Sequence, residues 1–216
     1  MFGLNFFGFN ESKIHRALSS VENAYGELHA SIKNYVQDGF VNEMSKVWAC
    51  NEAQVFFRDG VKPQFDEVIK KINENFAIID KGVNSAATAW AQKTRSQYTS
   101  KNISIISTTI DVSMIQENIG GTRGIDKEAA LNLVVKLEQF KNSTTAALDK
   151  TVAAIRGCGF LGGVQEENLL AALNKNKTII DTAIEGTISA LNKAITDTVT
   201  SYGDMAGKVA QAFNGQ

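Results

Sequence analysis

The chain has 216 residues, 44% of them apolar and 21% charged, with 22 Lys and Arg against 23 Asp and Glu for a formal charge of -1, a balance that suits a globular protein of one large or two small domains. No window concentrates Lys and Arg as a phosphate-binding surface needs, which argues against a nucleic-acid partner. Two cysteines, Cys50 and Cys158, are too few for a disulfide framework and too isolated for a metal site, and a single proline leaves long stretches free to stay helical.

The chain opens on the aromatics Phe2, Phe6, Phe7 and Phe9. This stretch lacks the basic leader, the longer apolar run and the small-residue cleavage site of a signal peptide, so it reads as mature sequence. With no basic residue before Lys13 to attract anionic lipid, it is expected to tuck back or to meet a partner rather than a membrane. Asn10 is a plausible helix cap, and behind it Ile14, Leu18, Val21, Tyr25, Leu28, Ile32 and Tyr35 alternate steps of four and three, the stripe of a helix that packs along one face. Helix one is expected over residues 11–47, with a bend near Gly39. A second stripe, Phe65, Ile69, Ile72, Phe76, Ile79, Val83, Ala86 and Trp90, carries helix two to about residue 97, kinked or restarted at Pro63.

Over residues 98–125 the periodicity fails, Ser and Thr accumulate, and Gly120, Gly121 and Gly124 punctuate the end. This is the linker; its β-branched centre, residues 103–115, suits an extended path, with room for a short strand. That stretch is also the nearest approach to a membrane span, and it is too short and too polar to be one. Asp126 and Glu128 open helix three, with a stripe of Ala130, Leu133, Leu137, Phe140, Thr144 and Ala147. Gly157, Gly159, Gly162 and Gly163 then make a turn. Helix four follows over residues 165–212 through Leu173, Ile180, Ile184, Ile188, Leu191, Ile195, Tyr202, Met205 and Val209.

A shift of 112 residues superimposes the chain on itself without a gap. Trp48 falls on Phe160, Tyr25 on Leu137 and Leu28 on Phe140 before the turns, and Ile72 falls on Ile184, Phe76 on Ile188 and Trp90 on Tyr202 beyond them. Residues 1–97 and 126–216 therefore read as two copies of one helical hairpin, each burying its apolar face against the other as one structural unit. The linker is too long for parallel hairpins, whose facing ends a few residues join. It has the length to run back along a helix of about thirty residues, roughly 45 Å. The fold class expected is all-α: two long helical hairpins packed as an elongated, antiparallel four-helix bundle with a crossover linker.

The turns carry a resemblance. The first has Trp48 and Cys50, with Phe56 eight positions after the tryptophan, and the second has Phe160 and Gly162. A hairpin of this size with an aromatic-x-Gly turn resembles the WXG family of small helical proteins associated with type VII secretion, here as a tandem of two. Cys50 replaces the turn glycine in the first copy and Phe160 the tryptophan in the second. The family's secretion tag, a tyrosine followed four residues later by an acid, is missing, since Ala206 follows Tyr202 at that spacing and Asn102 follows Tyr98. The resemblance implies a non-enzymatic protein that works through a protein partner, either secretion machinery or a co-secreted helical protein. It implies secretion without a cleaved signal peptide, or a cytoplasmic stay before export. Trp48, Cys50, Phe56, Phe160 and Gly162 would form the hairpin turns and partner contacts, with no catalytic, cofactor or metal residues. The plainer reading of Trp48 and Phe160 is that large aromatics seal the ends of a bundle.

The residues admit two other readings. A membrane-active, pore-forming helical protein would use the linker or the aromatic start. A dinucleotide-binding enzyme is suggested by Gly157-Cys158-Gly159-Phe160-Leu161-Gly162, a literal GxGxxG, with Asp181 as ribose ligand and residues 151–156 as the preceding strand. Residues 151–156, however, continue the helix-three register, which favours a glycine-rich turn. His15 and His29 are about 21 Å apart along one helix, too far to share a metal, and read as boundary residues. Glu22, Asp66, Glu67 and Asp181 read as solvated surface.

Overall fold

The computed structural model describes residues 7–161 and 164–214, and among them helix dominates. After β1 (Gly8–Phe9), the first helical run comprises α1 (Glu11–Ser31), a π-helical stretch Ile32–Asn42 and α2 (Glu43–Val47). The turn holds β2 (Trp48–Ala49), and the second run comprises α3 (Asn51–Val55), a second π-helical stretch Phe56–Val61 and α4 (Lys62–Thr94). An irregular segment leads to β3 (Gly124–Ile125) and α5 (Lys127–Ile155); β4 (Phe160–Leu161) then precedes α6 (Val164–Asn214). Among the described residues, four helical runs thus stand where the periodicity puts them. No helix among them is long and apolar enough to cross a membrane.

The apolar stripes explain the helices, and the π-helical stretches explain where the stripes slip. Ile14, Leu18, Val21, Tyr25, Leu28 and Ile32 are all buried, but the next core residue is Val36 rather than Tyr35. A π turn holds more residues than an α turn, so the face shifts by one where the π-helical stretch begins at Ile32. Gly39, near which a bend is expected, lies within this stretch. A side chain on Gly39 would place its Cβ 2.7 Å from the Asn34 carbonyl oxygen, five residues back. Near Pro63, the Lys62 N–H bonds to the Phe57 carbonyl, again five residues back. This wider turn accommodates a proline that would otherwise crowd the preceding α turn. Two further expectations are corrected. In α4 the stripe passes through Ala87 and Ala91 rather than Ala86 and Trp90, and in α6 it ends at Val199, leaving Met205 62% and Val209 50% exposed.

The chain divides into two compact units, each taking a part of all four runs. In the first (residues 1–31, 68–108 and 142–182), the core joins Ile14, Leu18 and Tyr25 of α1 to Ile72, Phe76 and Ile79 of α4, Ala147 and Leu148 of α5, and Ile180 of α6. In the second (residues 32–67, 109–141 and 183–216), it joins Phe40, Trp48, Phe57 and Phe65 to Leu137 and Phe140 of α5 and Ile188, Leu191 and Ile195 of α6.

Both units use one closing device. In the first, β1 pairs antiparallel with β4, the Asn10 N–H donates to the Gly159 carbonyl at 2.8 Å, and Asn10 Oδ1 caps α1 by accepting from the Lys13 N–H at 3.0 Å. In the second, β3 pairs antiparallel with β2, the Asp126 N–H donates to the Val47 carbonyl at 2.7 Å, and Asp126 Oδ1 caps α5 by accepting from the Ala129 N–H at 3.0 Å. Each cap satisfies one of the amides that a helix start leaves unpaired. The 112-residue shift also carries buried Val68, Ile72, Phe76, Ile79, Val83 and Ala87 onto buried Ile180, Ile184, Ile188, Leu191, Ile195 and Val199. The caps lie further apart than the shift, by four residues, so the first run is longer than the third between cap and turn; the π-helical stretch in the first run takes up residues there.

Candidate functional site

The turn residues singled out in the sequence are mostly interior. Trp48 is 1% exposed and packs at 5.2 Å between centroids against Phe56 and 5.9 Å against Phe57. Its indole N–H is buried without a partner among the described residues. Cys50 is buried in extended backbone, φ -175° and ψ 171°, a conformation open to any residue, so this position of the turn does not require glycine. Its sulfur caps α3 by accepting from the Ala53 N–H at 3.3 Å, and Tyr202 Oη donates to the same sulfur at 3.5 Å. That hydrogen bond, reinforced by burial, pushes the Tyr202 phenol up to about 12. In the second turn Phe160 is 6% exposed in β4; Gly162 lies outside the described residues, as do Phe2, Phe6 and Gly163. Cys158 is buried, and desolvation followed by the nearby Glu166 carboxylate pushes its thiol up to about 11, which keeps it protonated at neutral pH.

The glycine-rich turn answers the dinucleotide motif. Of the strand it needs at residues 151–156, all but Arg156, which is in the turn, belong to the last part of α5, and Asp181 accepts a hydrogen bond from Thr145 Oγ1 at 3.0 Å. Gly159 has φ +113°, and a Cβ there would fall 2.8 Å from the Asn10 carbonyl oxygen and 2.9 Å from the Lys13 Cβ. The glycine serves the close approach of the chain start to the turn. Among the described residues, no three His, Cys, Asp or Glu side chains gather as a metal site. Beside each turn is an open surface cavity: about 310 Å³ between Lys13, Arg16, Ser20 and Gly157 in the first unit, and about 550 Å³ between Lys46, Ala49, Thr122 and Arg123 in the second.

The most elaborate polar construction is one that the sequence reading missed. The linker is a strap gripped along its main chain by side chains of the first hairpin. Within the first unit, Asn84 Nδ2 donates to the Lys101 carbonyl at 3.0 Å, while its Oδ1 accepts from the Lys101 N–H at 3.2 Å and from Tyr98 Oη at 2.6 Å. Asp80 Oδ1 accepts from the Ile103 N–H at 3.1 Å, Tyr25 Oη from the Ile106 N–H at 2.8 Å, and Asn73 Nδ2 donates to the Ile106 carbonyl at 3.2 Å. His15 Nε2 meets the Thr99 carbonyl at 2.7 Å. Within the second unit, Asp66 Oδ1 accepts from the Ile110 N–H at 2.9 Å, Lys62 donates to the Ile110 carbonyl at 2.9 Å, and Gln37 bonds both the N–H and the carbonyl of Asp111. Ile103, Ile110 and Ile115 drive inward, 5%, 1% and 4% exposed.

Asp66 is thus no solvated surface residue, and Glu22 is paired with Lys101 of the strap at 3.4 Å. On α4 the groups that receive the strap include positions 66, 73 and 80, at heptad spacing, and 84 about one turn further on, a polar line beside the apolar stripe. That line, with the aperiodic isoleucines of residues 103–115, was the available signal. A scan against protein-family models, a search of curated proteins and a search of solved structures each return no match.

Proposed function

We propose that this chain is a non-enzymatic interaction protein, a fusion of two WXG-like hairpins that complete each other in an antiparallel four-helix bundle and engage a protein partner in or alongside a type VII secretion route. The observation that carries this reading is the closing device. Each hairpin turn is backbone-paired to the start of the other hairpin, Trp48–Ala49 to Gly124–Ile125 and Phe160–Leu161 to Gly8–Phe9. A single WXG-like hairpin leaves its apolar face for a partner, and here the second copy takes that place. Partner binding then falls to surfaces outside the paired faces. Met205 and Val209, four residues apart on one side of α6 and both at least half exposed, are the apolar surface that this reading offers.

Export in the native host tests the reading. The protein is expected in the culture medium, and inactivating the membrane ATPase of the secretion system is expected to retain it in the cells. Release that ignores the ATPase would remove the secretion assignment. Leakage from dye-loaded vesicles at neutral pH would instead favour the membrane-active reading.

A further inference from the structure

The groove under the strap contains one incomplete polar group. His29 of α1 packs edge-on against Tyr25 at 4.6 Å between centroids, and its Nδ1 sits 3.2 Å from Thr108 Oγ1 of the strap. Its Nε2 is sealed from solvent with no hydrogen-bond partner among the described residues. A neutral imidazole tolerates this arrangement: Nδ1–H donates to the hydroxyl and Nε2 is left as a bare acceptor. Protonation turns Nε2 into a charged donor with no acceptor in hydrogen-bond position; Asn73 favours the charged ring, but by less than the loss of solvent disfavours it.

We propose that the strap is an acid-released latch, in which protonation of His29 breaks the hold of α1 and α4 on the strap around Ile106 and Thr108 and uncovers the groove beneath. The groups facing the ring are Tyr25 from α1, Asn73 from α4 and Thr108 from the strap. Of these only Tyr25 titrates, and burial raises its phenol further above the neutral range. The charged groups that these elements commit to the strap are already engaged: Glu22 with Lys101, Glu11 with the Thr99 N–H, and Asp80 with the Ile103 N–H. None of them is bonded to His29.

Burial holds the His29 pKa below its ordinary 6.5; Asn73, whose Oδ1 accepts from Tyr25 Oη and whose Nδ2 donates to the Ile106 carbonyl, opposes this by less. The closed groove therefore binds a proton less readily than the open one. Its stability is complete above about pH 6.5 and is lost as the pH falls through the depressed folded value.

NMR on the full chain tests the latch. Heteronuclear NOEs of the Ile103 and Ile106 amides are expected to match those of α4 at about pH 7.5 and to fall well below them at about pH 5, across the titration of the His29 ring. In His29→Gln, which keeps a neutral side chain at both pH values, the strap amides are expected to stay rigid. Strap amides that remain rigid in the wild type at the lower pH, or that loosen equally in His29→Gln, overturn the proposal. Should His29→Gln loosen the strap already at neutral pH, the wild-type ring decides: a midpoint below 6.5 that coincides with loosening supports the latch, and a midpoint at or above 6.5 overturns it.

Discussion

Single residues set the terms on which the two copies close, and Gly159 carries the tightest of them. Its φ of +113° and the 2.8 Å that a Cβ would leave to the Asn10 carbonyl oxygen combine backbone strain with a clash against main chain that is fixed by β-pairing. Gly159→Ala is expected to cost about 2–3 kcal/mol, since neither term can relax without parting the chain start from the turn. Gly186 is the contrast: it lies inside α6 with nothing within 4 Å of a built Cβ. Gly186→Ala should stabilise by about 0.5–1 kcal/mol through the lower cost of ordering alanine in a helix. Urea denaturation of the pair reads both, and equal effects would mean that Gly159 is spacing rather than necessity. The sequence showed that glycines cluster here; it held no sign that the one at 159 meets Asn10, because that contact joins residues some 150 positions apart.

At the scale of elements, the helices were legible because burial on one face leaves a periodic trace. Phe65, Ile69, Ile72, Phe76, Ile79 and Val83 are buried as their spacing predicts. The trace misleads where the turn geometry changes: the π-helical stretch beginning at Ile32 moves the core from Tyr35 to Val36. It was silent on the strap, whose path is fixed by side chains reaching another segment's main chain rather than by any repeat of its own. Asn84, 8% exposed, bonds both main-chain groups of Lys101 and also the Tyr98 hydroxyl. Asn84→Ala is expected to lower stability by about 2 kcal/mol, as several part-buried groups lose a partner at once, and to speed protease cleavage near Lys101 while far-UV circular dichroism keeps its helical signature. Unchanged cleavage would mean that the isoleucines alone hold the strap.

For the whole molecule, the central claim is that one chain holds both members of a helical-hairpin pair. Residues far apart in sequence support it together: the Trp48 and Phe160 turns share a spacing of 112 residues with the buried positions of α4 and α6, and each turn is paired to the start of the other copy. The four-residue excess between the caps falls in the run that contains the longer π-helical stretch. What that pair engages left no trace in the residues, since the turn aromatics that suggest a family are themselves core. The most direct test is to produce residues 1–100 and 120–216 separately and follow helicity by circular dichroism, alone and mixed. Two fragments that are poorly helical alone and gain helicity and a cooperative melt on mixing are predicted, because each exposes the stripe that the other covers. Two fragments that each melt cooperatively as monomers, with no change on mixing, would contradict the account.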